Sequence, residues 1–500
     1  MRKNILQYLE ESAARLPDKI SFSDGRDALT FGELYEASRS VGTALLKLGA
    51  RREAVAVFMD KHPRTIAAFF GVIYAGCFYV CIDSAMPAER IRAILDNLSA
   101  RIIIADDKNY KKASDFGADI LLRYNDIVET DLDEACLLDI RRRQIDTDPI
   151  YVVFTSGSTG VPKGVVACHR SVIDYTEALS SALGFSEDTV FGNQTPLYFD
   201  APLKEIMPTL KFGATTYFIP KSLFMFPVKL VEYLNTHRIN TICWVVSALV
   251  QISTLGAFEV CTPEYLTTVA FGSEVFPKKD YKLWRENIPN ARFFNLYGPT
   301  EATGMSCYWY ADRELSEDEP IPIGVPFDNT DIMLINDDGL EADEGEICIR
   351  GTCVTMGYYN NPERTSEAFV QNPLNHAYGE TIYRTGDIGR RNERGELVFL
   401  TRRDSQIKHM GHRIELGEIE AASLRIDGVG RACCVYDKEK KRIVLFYVGE
   451  REGVDIQREL TKLIPRYMIP ALCERLSTMP LTDNGKINRR ALRERAENTD

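Results

Sequence analysis

Residues 154–164 read FTSGSTGVPKG, which places four hydroxyls (Thr155, Ser156, Ser158, Thr159), three glycines and one cation, Lys163, in eleven residues. Glycine lets backbone N–H groups come close to a ligand, hydroxyls add short donors, and the lysine supplies a point charge. That set suits an anion with several oxygens, which usually means phosphate. The same composition also describes a mobile Ser/Thr/Gly surface loop. Spacing excludes a P-loop. Counted from Gly157, its second glycine falls on Pro162, and Lys163 is followed by Gly164.

Three further residues carry chemistry by type. Asp387 closes YRTGD (383–387), and a carboxylate can accept hydrogen bonds from two hydroxyls; an ordinary Gly-Asp turn is the alternative. Lys486 follows Asn484 and Gly485, where a solvated turn lysine is the common occupant. Asp200 lies in YFDAPLKEI (198–206), which reads as a helix start with Asp200 as cap and Pro202 in the first turn. A capping carboxylate keeps lone pairs, so capping and ligand binding are compatible. Lys204 stands four residues after Asp200, close enough to share a helix face, either in a solvated ion pair or as a cation in a pocket.

Seven stretches occur in a fixed order: FTSGSTGVPKG, YFDAPLKEI, NLYGPTEAT (295–303), GEICIRG (345–351), YRTGD, TRRDSQIKHMGHRIELGEIE (401–420) and NGKINR (484–489). From LTFGELYEAS to NGKINRRAL the chain resembles the adenylate-forming superfamily. Within it, the chain is similar to the amino-acid-activating adenylation enzymes of nonribosomal peptide synthesis and to the D-alanine:carrier-protein ligases. The resemblance implies ATP and Mg²⁺. Thr155, Ser156, Gly157, Ser158, Thr159 and Lys163 would clamp the β- and γ-phosphates. Asn295 would sit near the adenine amino edge and the Tyr297 ring against adenine, with Leu296, Gly298 and Phe399 completing the nucleotide site. Thr300 would reach the α-phosphate, Glu301 would hold Mg²⁺, and Asp387 and Arg402 would hold the ribose. Lys486 would contact both the attacking carboxylate and the α-phosphate, stabilising charge in the pentacovalent transition state. Asp404 matches the hinge. The chain departs from the pattern at Thr401, where a glycine usually precedes the arginine, and at Met410, where an arginine often precedes Gly411.

The resemblance also implies a substrate pocket. Its positions fall on Phe199, Asp200, Ala201, Lys204, Trp244, Val269, Phe271, Gly272, Leu296, Gly304 and Met305. Asp200 would pair with the α-ammonium of an amino acid, a residue that acyl- and aryl-activating members generally lack. Two half-reactions are implied: an amino acid and ATP give aminoacyl-AMP and pyrophosphate, then the thiol of a phosphopantetheinylated carrier protein takes the aminoacyl group. Residues 1–500 include neither a carrier nor a condensation domain, so the carrier is expected to act in trans unless the sequence is a piece of a larger synthetase. A CoA ligase for an acid without an amine is disfavoured by Asp200. A non-catalytic protein on the same fold is disfavoured by Glu301 and Lys486 together.

The elements that must position these residues follow from pattern. Five hundred residues exceed one hydrophobic core. Apolar runs at 54–59, 101–106, 150–156, 240–246 and 268–273 read as buried parallel strands, and 29–49 and 171–183 as helices between them. Beyond about residue 320 short alternating strands take over, and from Ile414 helices and strands form a compact α+β unit. The expected fold is α/β: a large N-terminal lobe of parallel α/β sheets with a β-rich subdomain (1–403), hinged to a small mobile α+β lobe (404–500). Residues 405–500 carry 18 Lys and Arg against 15 Asp and Glu on a chain of net charge −12. The acidic whole argues against a nucleic-acid partner, and the mildly basic small lobe suits an acidic carrier protein. Twelve scattered cysteines with no CxxC read as reduced thiols in the cytoplasm. The uncharged run 66–82 reads as a buried helix passing into a strand, not as a membrane span.

Overall fold

The computed structural model describes residues 2–157, 162–403, 406–481 and 487–499. The chain falls into two compact units, one of Met1–Ser84, Leu98–Val153 and Gly164–Thr401, the other of Ala85–Asn97, Phe154–Lys163 and Arg402–Asp500. Lys486, Asp404, Ser158 and Thr159 lie outside the described residues.

A six-stranded sheet has the order Ile120–Arg123, Ile102–Ala105, Ala54–Phe58, Phe78–Cys81, Pro149–Thr155, Lys163–Cys168, and its first five strands are parallel neighbours. AVAVF and IIIA are buried at every position, as strands covered on both faces must be. The helix Phe31–Lys47 starts at a capping box: the Thr30 hydroxyl accepts the Glu33 N–H, and the Glu33 carboxylate accepts that of Thr30. The uncharged run resolves into helix Pro63–Tyr74 and strand Phe78–Cys81. Among the described residues no helix is long and apolar enough to cross a membrane. At the entrance to helix Leu6–Arg15, the Ile5 N–H donates to His169 Nδ1 at 3.2 Å, and burial pushes that imidazole down to about 3.

The second large sheet has nine strands, ordered Val325–Pro326, Cys307–Tyr310, Arg292–Tyr297, Thr268–Gly272, Thr241–Val245, Val190–Asn193, Thr215–Phe218, Ile20–Ser23, Ala28–Thr30. Its middle is parallel and its margins antiparallel. Cys243, Ala270 and Phe294 stand in one cross-strand row, and Trp244, Phe271 and Asn295 in the next. Neighbouring rows face opposite ways. Cys243 and Ala270 join the core that holds helix Leu203–Phe212, whereas Trp244 and Phe271 join a second core with Leu249 and Trp284.

The β-rich region is a five-stranded sheet in which Thr330–Ile335, Glu344–Gly351, Thr381–Arg391 and Phe369–Gln371 pair antiparallel in that order, with Leu397–Arg402 also on Thr381–Arg391. In the second unit, the hairpin Gln406–His409 and His412–Glu415 turns through Met410 (φ 51°) and Gly411 (φ 78°), the paired positive φ that a tight hairpin needs. Helix Leu416–Leu424, the strands Val429–Asp437, Arg442–Gly449 and Leu472–Arg475, and helices Gly453–Leu463 and Arg489–Asn498 complete it. Ile419, Cys434, Leu445 and Leu460 form its core.

Candidate active site

The NLYGPTEAT stretch begins inside strand Arg292–Tyr297 and runs on past its carboxyl end, where open α/β sheets bind ligands. The chain then folds back sharply, with the Ser306 N–H donating to Tyr297 O at 2.7 Å. Gly298 cannot be another residue: a Cβ would stand 2.4 Å from the Met305 Cα. Thr300–Ala302 make a single 3₁₀ turn, and Glu301 within it is fully buried. Its Oε1 accepts from Tyr358 Oη at 2.8 Å. The Asn295 Nδ2 donates to Pro322 O at 2.7 Å.

Tyr297 and Asp387 come together directly, Tyr297 Oη donating to Asp387 Oδ2 at 2.6 Å. Burial, then the Asp387 charge, raise the phenol well above its ordinary value, so it stays a donor. Thr385 Oγ1 accepts the Asp387 N–H at 3.0 Å and donates to Ile347 O at 2.7 Å, which fixes the aspartate to the β-rich sheet. Phe399 packs against the same cluster as Tyr297.

Asp200 does not cap the following helix. The cap of Leu203–Phe212 is Pro202, with no side-chain cap bond, and Leu203 N–H donates to the Asp200 carbonyl instead. The carboxylate faces Gly304 (φ 99°), where a methyl group would stand 3.5 Å from Asp200 Oδ2. Its charge, after burial, raises the Tyr151 and Tyr175 phenols, and the buried Tyr151 hydroxyl has no hydrogen-bond partner among the described residues. Phe199 lies ring to ring with Tyr198 at 4.6 Å. Leu296 and Met305 belong to the core on this side, and Gly272 ends the adjacent strand.

Trp244, Val269 and Phe271 are not brought to Asp200. All three sit in the second core, with Trp244 Nε1 donating to Gly192 O at 2.6 Å and Phe271 against Phe276. The residues on the Asp200 side are Cys243 and Ala270, one position away along each strand. Lys204 is only 4% exposed, and no ion pair joins it to Asp200 among the described residues. Beside it Glu205 is fully buried, and burial pushes its carboxyl up to about 8. Lys61 is pushed down by burial to about 7, its Nζ donating to Asn193 O (3.0 Å) and Gln194 O (3.1 Å).

In the second unit, Thr155 and Ser156 are buried at the start of the glycine-rich loop. Ser156 Oγ donates to Arg413 O at 2.9 Å and accepts the Glu415 N–H at 3.2 Å. Gly157 N–H donates to Glu418 Oε2 at 3.2 Å, and Glu418 is ion-paired with Arg90. Burial raises the Glu418 carboxyl, opposed by Arg90. Lys163 opens strand Lys163–Cys168 and Arg402 closes strand Leu397–Arg402. In the first unit Tyr358 touches Glu301, and in the second Glu418 and Arg90 adjoin Gly157; the sequence singles out none of the three by itself. Only Glu418 lies within a recognised stretch, RIELGEIE.

The family model described as AMP-binding enzyme matches residues 9–359. The chain is 30% identical over 98% of its length to tyrocidine synthase 1 of Brevibacillus parabrevis, of which it spans 45%. It is 31% identical over 94% of its length to an L-proline–[L-prolyl-carrier protein] ligase of Streptomyces coelicolor, of which it spans 92%. Among solved structures, an artificially fused adenylation–PCP di-domain from Klebsiella oxytoca superposes with a TM-score of 0.82 at 21% identity, covering 95% of this chain and 94% of that one. The amide bond synthetase McbA of Marinactinospora thermotolerans gives 0.86 at 18% identity over 98% and 99%. At such identities these two likenesses speak for the fold alone.

Proposed function

We propose, from the fact that this chain belongs to the AMP-binding enzyme family, that it activates an amino acid with ATP and passes it to a carrier protein. In the first half-reaction the carboxylate attacks the α-phosphorus, giving aminoacyl-AMP and pyrophosphate. In the second, the phosphopantetheine thiol of a carrier acting in trans attacks the adenylate, giving a thioester and AMP. The observation that carries the amino-acid reading is Asp200. Its carboxylate is released from helix capping and faces Gly304, so it remains available to an ammonium.

Tyr297 and Asp387, joined by their hydrogen bond, would present an aromatic face to adenine and a carboxylate to ribose, with Asn295, Leu296, Gly298, Phe399 and Arg402 around them. Thr155, Ser156, Gly157, Ser158, Thr159 and Lys163 would hold the outer phosphates, Thr300 the α-phosphate. Among the described residues no three His, Cys, Asp or Glu side chains gather to hold a metal. Mg²⁺ would come with the nucleotide and take Glu301, a hard oxygen donor of the kind that cation prefers. Bound there it would neutralise phosphate charge. Lys486, on the small domain (404–500) turning about Asp404, would stabilise the transition state, while residues 1–403 bind nucleotide and amino acid. All twelve cysteines are free thiols, which suits a cytoplasmic setting.

ATP–pyrophosphate exchange over the L- and D-amino acids and their deaminated analogues tests this reading. Exchange that depends on the amine is the expected result. Exchange with plain acids alone would make the chain an acyl-activating ligase instead.

A further inference from the structure

Resting on the reading of Asp200 as the ammonium ligand, we propose that the amino acid activated by this chain carries an anionic side chain, a carboxylate as in aspartate or glutamate, and that Lys204 is the residue that selects it. Lys204 is 4% exposed as a residue, no hydrogen bond or ion pair engages its ammonium among the described residues, and its Nζ is not one of the side-chain atoms shut off from solvent without a partner. An ammonium carries three donors, and a buried charge is normally paired. None of the surrounding groups supplies the pairing. Glu205 follows it in the chain and feels its charge, Lys204 being the first influence that opposes burial there, but no hydrogen bond or ion pair joins the two, and the carboxyl is held up at about 8 and takes a hydrogen bond from Asn193. Lys61 is a second cation, spent on two backbone carbonyls. The Cys243 thiol is raised well above its ordinary value by burial, with Lys204 pulling the other way, so it is neutral and close by. The Tyr151 and Tyr175 phenols are likewise neutral. The remaining anion, Asp200, is beyond ion-pair distance and is claimed by the substrate amine.

The position of Lys204 separates it from the reacting carboxylate. Thr300 and Glu301 lie past the carboxyl end of strand Arg292–Tyr297. Lys204 follows Asp200 by four residues, in the first turn of helix Leu203–Phe212, and within electrostatic reach of Cys243, which sits two residues before the end of strand Thr241–Val245. The cation is thus at the level of the sheet body, where a side chain would point while the α-carboxylate faces the phosphates. The sheet residues on that side, Cys243, Ala270 and Gly272, are small. An amino acid with one carboxylate leaves Lys204 unmatched; one with two satisfies both ends.

The test is pyrophosphate exchange by the full chain with aspartate, glutamate and 2-aminoadipate against asparagine, glutamine, leucine and methionine. The best acidic amino acid should exceed its uncharged counterpart in kcat/KM by at least about a hundredfold, since a site built around a polar partner rejects the analogue lacking it. Lys204→Met should bring that ratio to within about tenfold and raise the thermal midpoint of the ligand-free protein, because an unpaired buried charge is removed; the same melt shows that the variant is folded. A wild-type enzyme that activates neutral or cationic amino acids and ignores acidic ones overturns this inference and leaves the proposed function standing. Exchange with no amino acid, only with plain acids, overturns the proposed function and this inference with it.

Discussion

Asp200 separates two roles that one carboxylate could have played, and its neighbours decide between them. Because Pro202 caps the helix with no side-chain bond, Asp200→Asn should leave the fold intact and raise the amino acid KM sharply. A charge pairing in a partly dry site is worth about 2–5 kcal/mol. ATP KM should stay near normal, and the deaminated analogue of the same acid should lose little. Equal loss for both compounds would mean that Asp200 shapes the pocket without reading the amine. Tyr297→Phe tests the second pair. The substitution keeps the ring and removes the donor to Asp387, a bond to a charged group worth about 1.5–3 kcal/mol. ATP KM should rise and the thermal midpoint fall, while amino acid KM holds; an unchanged ATP KM would detach Asp387 from nucleotide binding.

At the scale of elements, the buried strands were plain in the sequence because parallel strands covered on both faces are apolar throughout, as in AVAVF and IIIA. Trp244 and Phe271 lie in the second core while Cys243 and Ala270 lie in the first, and the physical reason is period two: a one-residue shift along a strand moves a side chain to the opposite face. Tyr358 was invisible for another reason. It meets Glu301 across 57 residues of chain, and no local spacing reports such a contact. Helix Leu6–Arg15 offers a prediction of its own, through the neutral His169 that accepts the Ile5 N–H. Its folded pKa, about 3, lies below the ordinary 6.5, so the unfolded chain binds the extra proton. Stability is therefore lost as pH falls below about 6.5, by up to about 1.4 kcal/mol per unit for one group. His169→Gln, which keeps an acceptor but does not titrate, should flatten the fall in urea midpoint between pH 7 and pH 5. A variant as acid-sensitive as the wild type would assign that loss to other groups.

At the scale of the molecule, charge is unevenly shared: residues 405–500 hold 18 basic against 15 acidic side chains, on a chain of net −12. If this basic part receives an acidic carrier, salt should weaken only the second half-reaction. Raising ionic strength from about 0.05 to 0.5 M, which shortens the screening length several-fold, should raise the carrier KM by at least about threefold and leave exchange unaltered. Equal sensitivity of both half-reactions would remove the electrostatic account of the carrier.

The glycine-rich loop also has a consequence for nucleotide affinity. Gly157 N–H already serves Glu418, and the Ser156 hydroxyl serves the Arg413 carbonyl. A hydrogen shared with one acceptor is withheld from another, so if the loop holds ATP as proposed, Glu418 would compete with the phosphate oxygens for the Gly157 N–H. ATP binding would then be an exchange of anions, with an apparent dissociation constant equal to the intrinsic one divided by the fraction of molecules in which Glu418 has released Gly157. Neutralising the competitor should raise that fraction. Glu418→Gln should bind ATP more tightly by calorimetry, although it costs stability by stranding Arg90, and weaker binding would show that the carboxylate helps shape the loop for its ligand instead of standing in for it.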